Sequence, residues 1–296
     1  MLPTWMGGAA ETKAAALLRR IRTSEIVDER RRAVEELHDL TANDLSSHVE
    51  VGQDGTVVLV AVLRADAVED PDIARNTLEA LLNISTLQRG RGEEGVPVAV
   101  TNAAAFVVVE GAADLLLDLL AQTDFYVRFA VVQLLTALYI NQPQAIQDAF
   151  KINSGSVGRL MDCMADRRHK AAIAKEALML MVQLTQTSVE IKMAVVFDGA
   201  FDRTFDIVSK AFEDDTDGGV VVKDCLDLLH NLLRDNPPNQ TYFRENGDIL
   251  KLGQMLQLEP VRSARATSAP ALLQNLDLMV EVVQALVSGS IAVRKI

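Results

Sequence analysis

Six times along this chain a short helical phrase returns. It reads AVEELHDL from Ala33, TLEALLNI from Thr77, QLLTALYI from Gln133, ALMLMVQL from Ala177, CLDLLHNL from Cys225 and LMVEVVQA from Leu278. The apolar anchors of the six copies are Val34, Leu78, Leu134, Leu178, Leu226 and Met279, separated by 44, 56, 44, 48 and 53 residues. Helical units that recur about every 40–47 residues mark armadillo and HEAT arrays, in which no unit buries its apolar face alone. The phrase therefore predicts an all-α, right-handed armadillo-like solenoid of about six three-helix repeats. It would occupy residues 14–288, between a flexible N-terminus of residues 1–13 and a tail of residues 289–296.

Composition narrows the function classes. Apolar residues make up 49% of the chain and aromatic residues only 4%, so Leu, Val and Ala fill the core. The net charge of −12 and the lack of a continuous basic stripe argue against nucleic acid and favour basic partner surfaces. Cys163 and Cys225 both sit in apolar phrases, as buried thiols of a reducing compartment would. The first ten residues lack the charged start and apolar run of a signal peptide. The apolar stretches around Val57–Leu63 and Val96–Val109 are too short or too interrupted to span a bilayer. The expectation is a cytoplasmic protein that reaches membranes only by recruitment.

Breaks divide the repeats. Asp54-Gly55 is read as a break before a helix from Thr56, and Pro71 as the first turn of the next helix. Residues 88–97 (QRGRGEEGVP) lengthen the second interval and read as a projecting loop. EDDTDGG precedes the fifth phrase, Asn236-Pro237-Pro238 ends it, and a polar linker covers residues 259–270. An apolar helix lies close to Ile296 without a polar capping unit, which predicts the front part of a longer solenoid.

Nothing in the sequence assembles a catalytic centre, a metal site or a cofactor site, so no enzyme is expected. Gly90, Gly92 and Gly95 spell a dinucleotide fingerprint, but a helix precedes it and Glu93 and Glu94 would repel phosphate. His38, His48, His169 and His230 do not cluster at ligand spacing. The basic runs at residues 19–22, 30–32 and 167–170 read as solvated helix ends.

Two features point to binding. Five residues after the anchors stand Asp39, Asn83, Tyr139, Gln183, Asn231 and Gln284, all able to hydrogen-bond. On stacked third helices Asn83, Tyr139, Gln183 and Gln284 would form a ladder along a concave groove, where an amide can donate and accept at once. Equally, polar outer positions occur on any amphipathic helix. The second feature is the corner after the fifth phrase: Asn231, Asn236, Asn239 and Gln240, with the turn Asp217, Gly218 and Gly219 before it. Asn-Pro-Pro-Asn makes a rigid turn whose polar side chains have few local partners. The same asparagines would also serve as helix caps.

The wording of the fifth unit adds a resemblance. DGGVVVKDCLDLLHNLLRDNPPNQTYFRENGDI, residues 217–249, resembles the most recognisable stretch of the general vesicular transport factor family. DERRRAVEEL, DFYVRFAVVQLLTAL, SGSVGRLMDCMADRR and FDGAFDRTFDIV agree with it in order, so the likeness runs from about Ala14 to Val287. The loop 88–97 and the linker 259–270 depart from the pattern, and no stalk, heptads or acidic tail appear. The resemblance implies the armadillo-like globular head of a vesicle tether working between endoplasmic reticulum and Golgi. It implies Rab-family small GTPases, SNARE proteins and golgins as partners, homodimerisation in the full-length form, a peripheral place on Golgi and vesicle membranes, and no cofactor. The alternatives are an armadillo scaffold or a peptide-binding adaptor. A carrier of the nuclear-import type would need tryptophans beside the asparagines, and Trp5 is the only one.

Overall fold

The computed structural model describes residues 11–86, 95–165, 171–211, 218–256, 277 and 280–286. Residues 1–10, the glycines at 90 and 92, His169 with its basic neighbours, Asp217, the linker 259–270, Met279 and the tail lie outside them. Gly95 opens a helix. Among the described residues all regular structure is helical.

The chain divides into two compact units, Met1–Ile146 and Gln147–Ile296. In the first, α1 (Lys13–Thr23) packs on α2 (Val27–Asn43). A short α3 (Ser47–Glu50) runs through a π-helical turn, Val51–Gly55, into α4 (Thr56–Asp66), which is followed by α5 (Pro71–Ser85). Then come α6 (Gly95–Val107), α7 (Ala112–Leu119) and α8 (Phe125–Asn141). The long third helices stack in order, α2 on α5 and α5 on α8. Helix α9 (Pro143–Ile152) crosses from one unit into the next. The second unit continues with α10 (Ser156–Ala165), α11 (Ala171–Thr185), α12 (Val189–Phe197), α13 (Ala200–Ala211), α14 (Gly218–Leu233), α15 (Pro237–Glu245) and α16 (Asp248–Leu256). Here α11 stacks on α14. A helical segment at residues 280–286 supplies part of the sixth phrase.

Local chemistry sets the helix starts. Asp70, Asp124, Ser188 and Asn236 each stand in the N-cap position and accept a backbone N–H from three residues on. Pro71 and Pro237 follow two of these caps, where the missing N–H has no intrahelical use. The anchors Val34, Leu78, Leu134, Leu178 and Leu226 are all buried.

The expected break at Asp54-Gly55 is corrected: the backbone stays helical there, as the π turn. Close approach explains the two glycines of this turn. A Cβ on Gly52 would lie 1.8 Å from Asn102 Oδ1, and one on Gly55 2.9 Å from Leu18 Cδ2. Neither residue has a positive φ. By contrast, the corner between first and second helices is turned by Gly111, Gly155, Gly199 and Gly247, with φ of 64–84°. These four recur every 44–48 residues and form a second periodic signal.

The register of α8 also differs from the phrase alignment. In α5 the N-cap is Asp70 and the buried pairs are Thr77–Leu78 and Ala80–Leu81; in α8 the cap is Asp124 and the pairs are Val131–Val132 and Leu134–Leu135. Caps and pairs agree on an interval of 54 residues rather than 56. The structural anchor of α8 is therefore Val132, and the expected ladder position falls on Ala137, not on Tyr139. The letters alone slipped because α8 is apolar on nearly every side, so a two-residue shift still matched.

Candidate functional site

The corner between α14 and α15 is built from side-chain amides. Helix α14 ends at Leu233, Asp235 takes a left-handed turn with φ of 54°, and Asn236 opens α15. The last carbonyls of a helix have no intrahelical partner and must find one. Here side chains supply them. Asn239 Nδ2 donates to Leu232 O at 2.9 Å and to Lys192 O at 3.2 Å. Gln240 Nε2 donates to Leu233 O at 2.8 Å, and Lys192 Nζ to Arg234 O at 3.1 Å. Asn236 Oδ1 accepts from Asn239 N at 3.2 Å. Asn236, Asn239 and Gln240 are only 1–3% exposed. One atom on each of two amides, Asn236 Nδ2 and Gln240 Oε1, is buried without a protein partner.

The geometry makes these amides a staple that holds α12, α14 and α15 together. Asn231 does the same between third helices, donating to Val182 O on α11 at 3.0 Å. What the corner offers to solvent is a different set: Arg234, Asp235, Pro237, Pro238, Thr241 and Tyr242. Gly218 and Gly219 are the first residues of α14.

Burial of Lys192 pushes its ammonium below the usual lysine range, and neighbouring Arg234 adds to the shift while Asp235 opposes it. A buried cation survives there because it caps the carbonyl end of α14, where the helix dipole favours positive charge.

The same device recurs in the first unit. His48 Nε2 lies 2.8 Å from Thr41 O at the end of α2. Asn102 Nδ2 donates to Ile84 O at 2.9 Å and His48 O at 3.0 Å, and Asn141 Nδ2 to Ser85 O at 2.9 Å. His48 follows its carbonyl by seven residues, as do Asn239 and Gln240. Sequence reading singled out the fifth-unit amides alone; the seven-residue offset is the signal by which His48 could have joined them.

The ladder residues occupy varied settings. Asn83 is half-buried and donates to Thr41 Oγ1 on α2 at 3.2 Å. Gln183 and Tyr139 are half-buried, while Asp39 and Gln284 are exposed. Asn83 and Asn231 thus spend an N–H tying one third helix to the one before. One position earlier in the same register stand His38 and His230. His38 Nε2 lies 3.2 Å from Glu79, and His230 Nδ1 lies 3.6 Å from Glu281. Burial lowers the His230 pKa; Glu281 and Asp227 act against that shift, whereas Arg234 and Lys192 add to it.

Among the described residues no group of His, Cys, Asp and Glu is placed to hold a metal ion, and no single helix is long and apolar enough to cross a membrane.

No protein-family profile matches the chain. Individual proteins do. General vesicular transport factor p115 of Homo sapiens is 32% identical over 275 residues, which is 91% of this chain and 27% of that protein. Golgin candidate 6 of Arabidopsis thaliana is 37% identical over 213 residues, 71% of this chain and 23% of its own length. A crystal structure of Uso1 superimposes with a TM-score of 0.81 at 23% identity, covering 97% of this chain and 45% of that one. The chain thus spans about a quarter of the length of p115 and of Golgin candidate 6. The likeness to p115 runs through 91% of the chain. A designed armadillo repeat protein superimposes with a TM-score of 0.61 at 14% identity, covering 93% of this chain and 100% of that one, so the fold is armadillo-like.

Proposed function

We propose that this chain, a homologue of the general vesicular transport factors p115 and Uso1, is a non-enzymatic head that helps tether transport vesicles in traffic from the endoplasmic reticulum to the Golgi and within the Golgi. The observation that carries this reading is identity of 32% to p115 sustained over 91% of the chain, on an armadillo-like fold. Stacked helical repeats present extended surfaces suited to protein recognition. In this reading the partners are Rab-family GTPases, SNARE proteins and golgins, the full-length form dimerises, and the protein sits in the cytoplasm at the periphery of Golgi and vesicle membranes.

The corner around Asn231, Asn236, Asn239 and Gln240 is one proposed recognition surface; Gly218 and Gly219 open α14 at its other end and form a separate candidate with Asp217, which lies outside the described residues. The corner's buried amides would fix the backbone that displays Arg234, Asp235, Pro237, Pro238 and Tyr242. The third-helix positions Asn83 in the first unit and Gln183 and Gln284 in the second are further proposed recognition positions, each within its own unit.

The test is a cell-free vesicle-docking assay with the whole chain added as competitor, paired with pull-downs against Rab GTPases loaded with GTP or GDP. Dose-dependent inhibition of docking together with GTP-dependent capture is the expected result. Unaltered docking with no nucleotide-dependent capture would overturn the reading.

A further inference from the structure

Helix α12, VEIKMAVVF, is apolar on two faces. Ile191, Val195 and Val196 point into the core, joined by the buried Lys192. On the opposite face Val189 is 49% exposed, Met193 46% and Phe197 90%. These three stand at i, i+4 and i+8, so they form one stripe along the helix. Ile152, at the same place one repeat earlier, is exposed as well. Isolated surface apolar residues need no explanation, but a contiguous stripe ending in a nearly bare phenylalanine does. Methionine in such a stripe suits adaptable packing against a partner.

Charge decides what covers it. Exposed Glu190 flanks the stripe on α12, and exposed Asp198 follows Phe197 as the C-cap of that helix. Among the described residues, the basic groups nearby are Lys151, paired with Asp148 at 3.2 Å, Arg203, paired with Asp162 at 2.7 Å, Lys251, paired with Asp202 and Asp248, the buried Lys192, and Arg234, which donates to Gln186 O at 3.5 Å. Glu190 and Asp198 outnumber Arg234, so this face is net acidic among those residues. A second copy meeting this face through a twofold axis would bring Glu190 and Asp198 towards their own equivalents. An anionic bilayer would meet the same repulsion.

We infer that the exposed face of α12 docks a basic amphipathic helix of a partner protein, with Val189, Met193 and Phe197 receiving its apolar side and Glu190 and Asp198 meeting its Lys or Arg flanks. Helix-in-groove recognition of this kind reads apolar residues at turn spacing and takes its orientation from the charged edges. The inference stands on the geometry of α12 and does not depend on the tethering role.

The test uses the full chain and a fluorescent helical peptide carrying leucines at i, i+3, i+4 and i+7 with lysine flanks, read by anisotropy. Binding is expected to weaken on adding salt and to fall about tenfold in Phe197→Ser and in Met193→Ser, as loss of a central apolar anchor does. A peptide with glutamate flanks should not bind. Equal binding by wild type and both variants, equal binding of the glutamate peptide, a dimer in sedimentation velocity that Phe197→Ser dissolves, or flotation with anionic vesicles that Phe197→Ser abolishes would each overturn the proposal. If the variants fail to fold, the methyl resonance of Met193 in the wild-type chain decides. A shift on adding the lysine peptide supports the docking face, and an unmoved resonance sinks it.

Discussion

At the scale of single residues, two kinds of glycine do different work. Gly52 lies against the buried amide of Asn102, which is itself pinned to two carbonyls. Asn102 cannot yield without giving up those bonds. Gly52→Ala should destabilise by about 1–3 kcal/mol, the usual range for overpacking, in urea unfolding. Gly199 has open space around it but a φ of 84°. Gly199→Ala should cost about 1–2 kcal/mol from backbone strain alone. Asn239 is a harsher case: its removal orphans Leu232 O at the end of α14 and takes a second bond from Lys192 O, which stays within the α12 ladder. Asn239→Ala should cost about 1–3 kcal/mol, because an unsatisfied buried acceptor carries its full desolvation penalty. A loss below 1 kcal/mol would mean that water replaces the amide. Cys225 is buried, and burial pushes its thiol far above the usual range, with Asp224 adding to the shift. Cys163 is buried too, so a thiol reagent should label neither residue until the chain unfolds.

At the scale of elements, the helix ends carry information that the helix middles do not. The third helices α2, α5 and α14 close on side chains of the helix that follows, at His48, Asn102 and Asn239, which sews these repeats to the next at the carbonyl end. His230 adds a pH-sensitive contact, joining α14 to the segment 280–286 through Glu281. Its folded pKa is lowered, chiefly by burial. The unfolded chain therefore takes up this proton first, at a pH near 6.5, while the folded chain still resists it. His230 consequently brings no protonation cost well above that pH, and stability declines as the pH falls through it towards the lower folded pKa. Urea midpoints measured between pH 7.5 and 5.5 should fall with acidification, and His230→Gln should flatten that slope. A variant as steep as the wild type would assign the slope elsewhere.

At the scale of the whole molecule, the repeat architecture was legible because the period is written in large apolar residues. The repeat pattern marks Val34, Leu78, Leu178 and Leu226 as anchors, and all four are buried. The Pro71 start was equally readable, since ring geometry acts locally; Asn236-Pro237-Pro238, read as the end of the fifth phrase, also caps and opens α15. The slip in α8 shows the limit: where a helix is apolar all round, its pattern no longer names the inner face. The corner shows another: Asn236, Asn239 and Gln240 announced a turn, but not that their amides point inward onto carbonyls seven or more residues away. Net charge acts at this scale too. With −12 overall, the chain on its own should remain unbound by anionic vesicles and by duplex DNA at physiological salt, in flotation and anisotropy respectively.

The sequence by itself determined the class of fold, the repeat period, the Pro71 helix start and the kinship with vesicular transport factors, because these rest on local propensity, periodicity and wording. Only the tertiary structure decided which of two apolar faces of α12 stays in water, which register α8 adopts and which amides become staples. Each of those outcomes depends on neighbours about 40–50 residues away, and no short stretch of letters encodes what will lie across from it.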